Sequence, residues 1–263
     1  MNKKKQLLIA LLIYFLYAAV LFLSNVFGKI GVSKNSELFE TISGILIGFI
    51  AIPVFSIMIP VWLTRKWRLE HSFLPRNKNW LLVILILALY VILVNFESIK
   101  SILGMRIALT DFIIHYISTL LFHVTYYPLL VLFLFPILRK NFGLVPGIIL
   151  TSLAFSLYHL VQFHFFPAGL TLYFQIMLFL SFTAQILFYL WGESLIFVAL
   201  AHSTNGAIGL IVGGTIFNQI DFVFYLTIVI ISFLFGYMIF QGIRDRKHKE
   251  LDSNWWLNIS IDK

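Results

Sequence analysis

The chain has no cysteine among its 263 residues. That absence excludes disulfides, thiolate metal sites, a cysteine nucleophile and a palmitoyl anchor. Charge is scarce as well. Asp, Glu, Lys and Arg together supply 11% of the residues, against about 25% in a soluble globular domain. Segments of alternating polarity are missing, which excludes a transmembrane β-barrel. No internal repeat is visible, and this weighs against a transporter built from symmetric halves.

What the chain has instead is apolar bulk. Hydrophobic residues make up 60% and the mean hydropathy is +0.96. The expected fold class is all-α: a polytopic integral membrane bundle of about eight helices, each span taking ~20 residues. The net charge of +8 does not point to nucleic acid, because the basic residues cluster between apolar runs, where charge sets topology and meets anionic lipid headgroups. The N-terminus resembles a signal peptide. Its apolar run from Gln6 to Phe27 is long and has no small-residue cleavage pattern, so a retained first span is expected.

The expected spans are 6–28, 40–64, 80–96, 112–138, 145–166, 170–191, 194–214 and 221–241. Polar loops are expected at 29–39 and 65–79, an interfacial segment at 97–111, and a charged tail from Arg244. Pro53 and Pro60 interrupt the second span, and Pro146 falls in the first turn of the fifth, where a missing N–H is tolerated. With the N-terminus inside, fifteen of the nineteen basic residues fall on the inner side, including Lys3, Lys4, Lys5, Arg65, Lys66, Arg139 and Lys140. Both termini are then cytoplasmic.

Polar groups inside a membrane span are costly and mark sites of function or interhelical hydrogen bonds. His123, Tyr126 and Tyr127 lie near one face of the fourth span, Phe155 and His159 share a face of the fifth, and His202, Asn205 and Gly206 share a face of the seventh. Tyr127, His159 and His202 lie roughly 12–20 Å from the inner ends, counting ~1.5 Å per residue. The ordinary reading of each histidine is a hydrogen-bonding group between helices, and of each tyrosine a packing residue. Three histidines on three helices also form a set of nitrogens that zinc accepts. His115 and His164 read as interfacial, His71 and His248 as members of charged inner segments, and Glu193 as a helix cap. Glu97 and Asp111 belong to the interfacial segment.

The order of these elements resembles the CAAX protease and bacteriocin-processing (CPBP, or Abi) family of intramembrane peptidases. That family carries a Glu-Glu-x-x-x-Arg helix, a Phe-x-x-x-His helix and a His-x-x-x-Asn helix. The second motif is intact here as Phe155-Ser156-Leu157-Tyr158-His159, and the third reads His202-Ser203-Thr204-Asn205-Gly206. The stretch Pro136 to Gly143 and the approach Phe188 to Leu195 are also similar to the family. The resemblance divides the chain into N-terminal spans at 1–110, a family-like core at 111–215, and a last span with its tail at 216–263. Tyr126 and Tyr127 stand where the family has its glutamate pair, Val131 where it has arginine, and Asn205 one residue ahead of the family asparagine.

The resemblance implies catalytic positions at Tyr126, Tyr127, His159 and His202, substrate contacts at Phe155 and Asn205, and a metal set of His123, His159 and His202. Zinc is the implied cofactor if there is one. A tyrosine has an ordinary pKa near 10 and is a poor general base at neutral pH. The expected protein is therefore CPBP-like with impaired or lost peptidase activity and a binding, immunity or regulatory role. The alternatives are an active divergent metallopeptidase and a channel or transporter. The implied partners are membrane lipids and a hydrophobic or lipidated peptide or membrane protein. The Phe, Ile, Leu, Lys and Asn content fits an AT-rich bacterium, which places the protein in the cytoplasmic membrane as a multi-pass chain.

Overall fold

The computed structural model describes residues 2–69, 80–94, 127–162, 168–192 and 194–211, with single positions between 96 and 125 and the helical residues 229–233 and 236. Among them every regular element is helical and there is no strand. The elements in order are α1 (Lys3–Lys34), α2 (Glu37–Ile45), a wide π-helical stretch π1 (Leu46–Met58) and α3 (Ile59–Lys66). They continue as α4 (Trp80–Val94), a second wide stretch π2 (Pro128–Leu134), α5 (Phe135–Phe142), α6 (Leu144–Gln162), α7 (Ala168–Gly192) and α8 (Leu195–Ile211). Among the described residues two helices are long and apolar enough to cross a membrane: Lys3–Gly31 and the continuous Glu37–Lys66. Leu81–Leu93, Leu144–His159 and Gln175–Trp191 are apolar but shorter.

The described residues form two compact units. One draws on Met1–His71 and Thr125–Thr183, the other on Ser72–Val124 and Ala184–Gln241.

In the first unit, α1 and α2 form a hairpin much tighter than the polar loop expected at 29–39. Helix α1 runs on through Lys34, and the connection is only Asn35 and Ser36. Asn35 takes a left-handed conformation (φ 49°), and the Ser36 N–H donates to the Gly31 carbonyl at 2.8 Å. This is the reversal that ends many helices, with asparagine in the place glycine usually fills. The same device closes α3. Arg68 is left-handed (φ 52°), its N–H meets the Arg65 carbonyl, and the Leu69 N–H meets the Thr64 carbonyl.

Proline shapes two helical runs, Glu37–Lys66 and Pro128–Phe142. Pro53 lies inside π1, Pro60 begins α3, Pro128 begins π2 and Pro136 begins α5. A proline removes an N–H and crowds the preceding turn, so the ladder shifts around it. The Val54 carbonyl accepts from Ile59, and the Leu130 carbonyl from Phe135, both at a five-residue spacing. Every residue of π2 is buried, and this stretch is the centre of the unit.

The corner between α5 and α6 sets where α6 points. Gly143 ends α5 with φ 92°, a conformation that suits glycine. Gly147 lets the backbones of the two helices touch: a Cβ there would lie 2.9 Å from both Arg139 Cα and Arg139 N. In the second unit α4 packs on α8, and Tyr90 meets Phe188 with ring centroids 6.2 Å apart.

Gly147→Ala should destabilise the folded protein by about 1–3 kcal/mol, because backbone atoms have to move apart. Gly44→Ala, where nothing lies within 4 Å of the new methyl, should stay within about 0.5 kcal/mol of the parent. Thermal unfolding of both variants in detergent micelles checks the contrast.

Candidate functional site

The intact motif on α6 lies in the first unit, in an aromatic core. Phe155 and His159 are one turn apart, with ring centroids separated by 4.4 Å. The His159 Nδ1–H donates to the Phe155 carbonyl at 2.8 Å. That bond selects the neutral tautomer with its lone pair on Nε2, the atom through which this ring would accept a proton or meet a ligand.

Four more aromatic rings of the unit extend the cluster around the pair. Phe182 of α7 stacks on Phe155, with centroids 4.0 Å apart and planes 6° apart. Tyr127, just ahead of π2, stacks in turn on Phe182 at 6.0 Å. Tyr158 meets Phe155 edge-on at 5.5 Å and lies 4.1 Å from His159, and Tyr17 of α1 meets Tyr158 edge-on at 6.0 Å. Offset and edge-on pairs are the favoured aromatic arrangements, worth about 0.5–1.5 kcal/mol each beyond their buried area. Tyr127 and Phe182 are fully buried, and His159 is 8% exposed.

A polar seam between α6 and α7 flanks these rings. The Thr183 hydroxyl donates to the Phe179 carbonyl and lies 3.0 Å from Ser152 Oγ. The Ser156 hydroxyl lies 2.6 Å from Gln175 Oε1 and 2.9 Å from the Gln175 carbonyl. On the other flank the Tyr14 hydroxyl donates to the Ala154 carbonyl at 2.7 Å. Gln175, Thr183 and Gln185 are not among the candidates the sequence motifs single out. Their signal was present, since they are polar residues in an otherwise apolar helix.

His202 belongs to α8 in the second unit. Its Nδ1–H donates to Gln185 Oε1 at 3.1 Å, so this ring too carries its lone pair on Nε2. Next to it, the buried Ser203 Oγ has no hydrogen-bond partner among the described residues. The Thr204 hydroxyl donates to the Leu200 carbonyl and lies 3.3 Å from the Tyr116 hydroxyl.

The structure thus brings Tyr127, Phe155 and His159 into one stack through Phe182; His202 belongs to the other unit, where it meets Gln185. Among the predicted site residues, His123 and Tyr126 lie outside the described residues, and Asn205 is placed by its backbone in α8. His71, Glu97, Asp111, His115, His164, Glu193 and His248 also lie outside them. Among the described residues no three His, Asp or Glu side chains form a group able to hold a metal ion. The described residues therefore do not supply a complete zinc set.

Compared with protein-family models, with curated proteins and with solved structures, the chain matches none.

Phe155→Ala should cost about 3–5 kcal/mol of stability, because it empties the centre of the stack. Leu85→Ala, at an outward position of α4, should change stability by no more than about 0.5 kcal/mol. Chemical unfolding of the two variants in micelles measures the difference.

Proposed function

We propose that this chain is a polytopic membrane protein of about eight spans with both termini cytoplasmic. Its core is CPBP-like, its peptidase chemistry is impaired or lost, and it binds a hydrophobic or lipidated peptide or a membrane partner in an immunity or regulatory role. The observation that carries this reading is the setting of Tyr127. By the resemblance it stands at a position of the family's acid pair, yet here it is fully buried and stacked on Phe182. An ionised carboxylate in such a place would be strongly disfavoured without a paired charge. A phenol suits it, and the phenol is a poor base.

The membrane placement rests on the distribution of polarity. Large apolar side chains point outward, among them Leu8, Phe15, Phe49, Trp62, Leu85 and Leu172, all more than half exposed. Ser24, Ser56, Thr64, Ser152, Ser156 and Thr183 are buried. In water such a surface would drive association. In hydrocarbon it is the expected one, with polar groups turned inward to find partners.

One observation favours a second reading, that of a working metallopeptidase using His123, His159 and His202. Both described histidines are held through Nδ1, one by a backbone carbonyl and one by an amide oxygen. Metal-ligating histidines are commonly oriented in this way.

Topology is testable with reporter fusions. A reporter active only outside the cell should work after Asn35, and one that fluoresces only inside should work after Arg68 and after Gly143. The opposite pattern at any of the three overturns the orientation.

For activity, the purified protein is given a prenylated peptide in micelles. Binding without cleavage is expected, with affinity unchanged by added chelator. Cleavage that disappears in both His159→Ala and His202→Ala, together with stoichiometric zinc lost in the same variants, would establish the second reading instead.

A further inference from the structure

A groove of about 450 Å³ runs along the first unit between α1, α5 and α6. Its walls are apolar: Leu7, Leu11 and Ala18 on α1, Leu138 on α5, and Leu153 and Leu157 on α6. Its size lies within the about 300–1,000 Å³ usual for small-molecule sites. From Leu7 to Ala18 it extends about 16 Å along α1, at ~1.5 Å per residue. That is about half of the ~30 Å hydrocarbon thickness of a bilayer, the depth of one leaflet.

The two ends of the groove differ in charge. At one end Leu7 follows directly on Lys3, Lys4 and Lys5, which are exposed, and Phe142 follows Arg139 and Lys140 in the last turn of α5. At the other end, around Ala18, there is no charged residue within a turn on α1. Basic clusters of this size next to a membrane-embedded groove attract anionic headgroups. Tyr14, which lines the groove, gives its hydroxyl to the Ala154 carbonyl.

We propose that this groove holds one acyl chain of an anionic phospholipid from the cytoplasmic leaflet, with the headgroup phosphate among Lys3, Lys4, Lys5, Arg139 and Lys140. The groove adjoins the Phe155–His159 stack along α6: Leu153 and Leu157 face the groove, Phe155 and His159 face the core, and Tyr158 borders both. Occupation of the groove would hold α1 against α6, the same contact that brings Tyr17 onto Tyr158. This inference rests on the membrane placement proposed above.

The full chain is incorporated into nanodiscs of phosphatidylcholine and phosphatidylglycerol in equal parts, and the lipid retained after mild detergent extraction is identified by native mass spectrometry. The expected result is one retained phosphatidylglycerol per chain in preference to phosphatidylcholine. Lys4→Gln and Lys140→Gln should each lower that preference about fivefold. Leu153→Trp, which fills the groove, should abolish retention, whereas Leu85→Trp on the outward face of α4 should leave it unchanged. Equal retention of the two lipids by the parent chain, an unchanged preference in both charge variants, or undiminished retention in a folded Leu153→Trp protein overturns the site. A parent chain that does not enter the bilayer overturns the membrane placement together with the site, and so separates the two failures.

Discussion

The hydrogen bond from a side-chain hydroxyl to a carbonyl on another helix or segment is the interaction on which the first unit depends. Ser24 reaches the Ser43 carbonyl, Ser56 the Thr125 carbonyl, Thr64 the Leu132 carbonyl, Tyr14 the Ala154 carbonyl, and Ser156 the Gln175 carbonyl. Apolar packing alone gives little preference among helix arrangements when the surroundings are as apolar as the helices. A buried hydroxyl does discriminate, because leaving it without a partner costs about 1–3 kcal/mol. Each of these five bonds therefore specifies one register between two segments. Together they tie α1 to α2 and α6, π1 and α3 to the segment around π2, and α6 to α7.

The wide stretches and the hydroxyls act together. The ladders that follow Pro53 and Pro128 run at a five-residue spacing. The Leu132 carbonyl that takes the Thr64 hydroxyl lies within π2. The Ser56 donor lies within π1. The proline-containing stretches thus carry one acceptor and one donor of the contacts that define the core. The aromatic stack then fills the space these contacts enclose, with Tyr127 entering it immediately before π2.

Much of the helical framework was legible in the sequence, because long apolar runs leave few alternatives. Lys3–Lys34, Glu37–Lys66, Trp80–Val94, Leu144–Gln162, Ala168–Gly192 and Leu195–Ile211 fall near the expected spans. The failure at 29–39 has a local cause. Lys29, Ser33 and Lys34 read as loop by polarity, yet their long or small polar side chains sit comfortably on an exposed helix end, and Asn35 completes the reversal in a single residue. The face shared by Phe155 and His159 was legible because four residues make nearly one helical turn. The stack around it was not. Phe182 and Tyr17 are two among many aromatic residues in apolar helices, and which of them meet depends on the hydroxyl–carbonyl registers. Gln175, Thr183 and Gln185 on α7 carry a usable signal of their own, polarity in an apolar helix, outside the motif residues.

The Nδ1 latch on His159 has a further consequence for proton movement. An imidazole passes a proton along a chain of groups when one nitrogen receives it as the other releases it, and the ring must then be able to exchange at both atoms. With Nδ1 committed to the carbonyl of its own helix, His159 is one-sided: a proton that arrives at Nε2 leaves by Nε2. The residue can act as an acceptor that returns what it takes, or as a fixed dipole among the rings. As held here it is a terminus and not a relay, so a conducting proton wire through this core would have to bypass it.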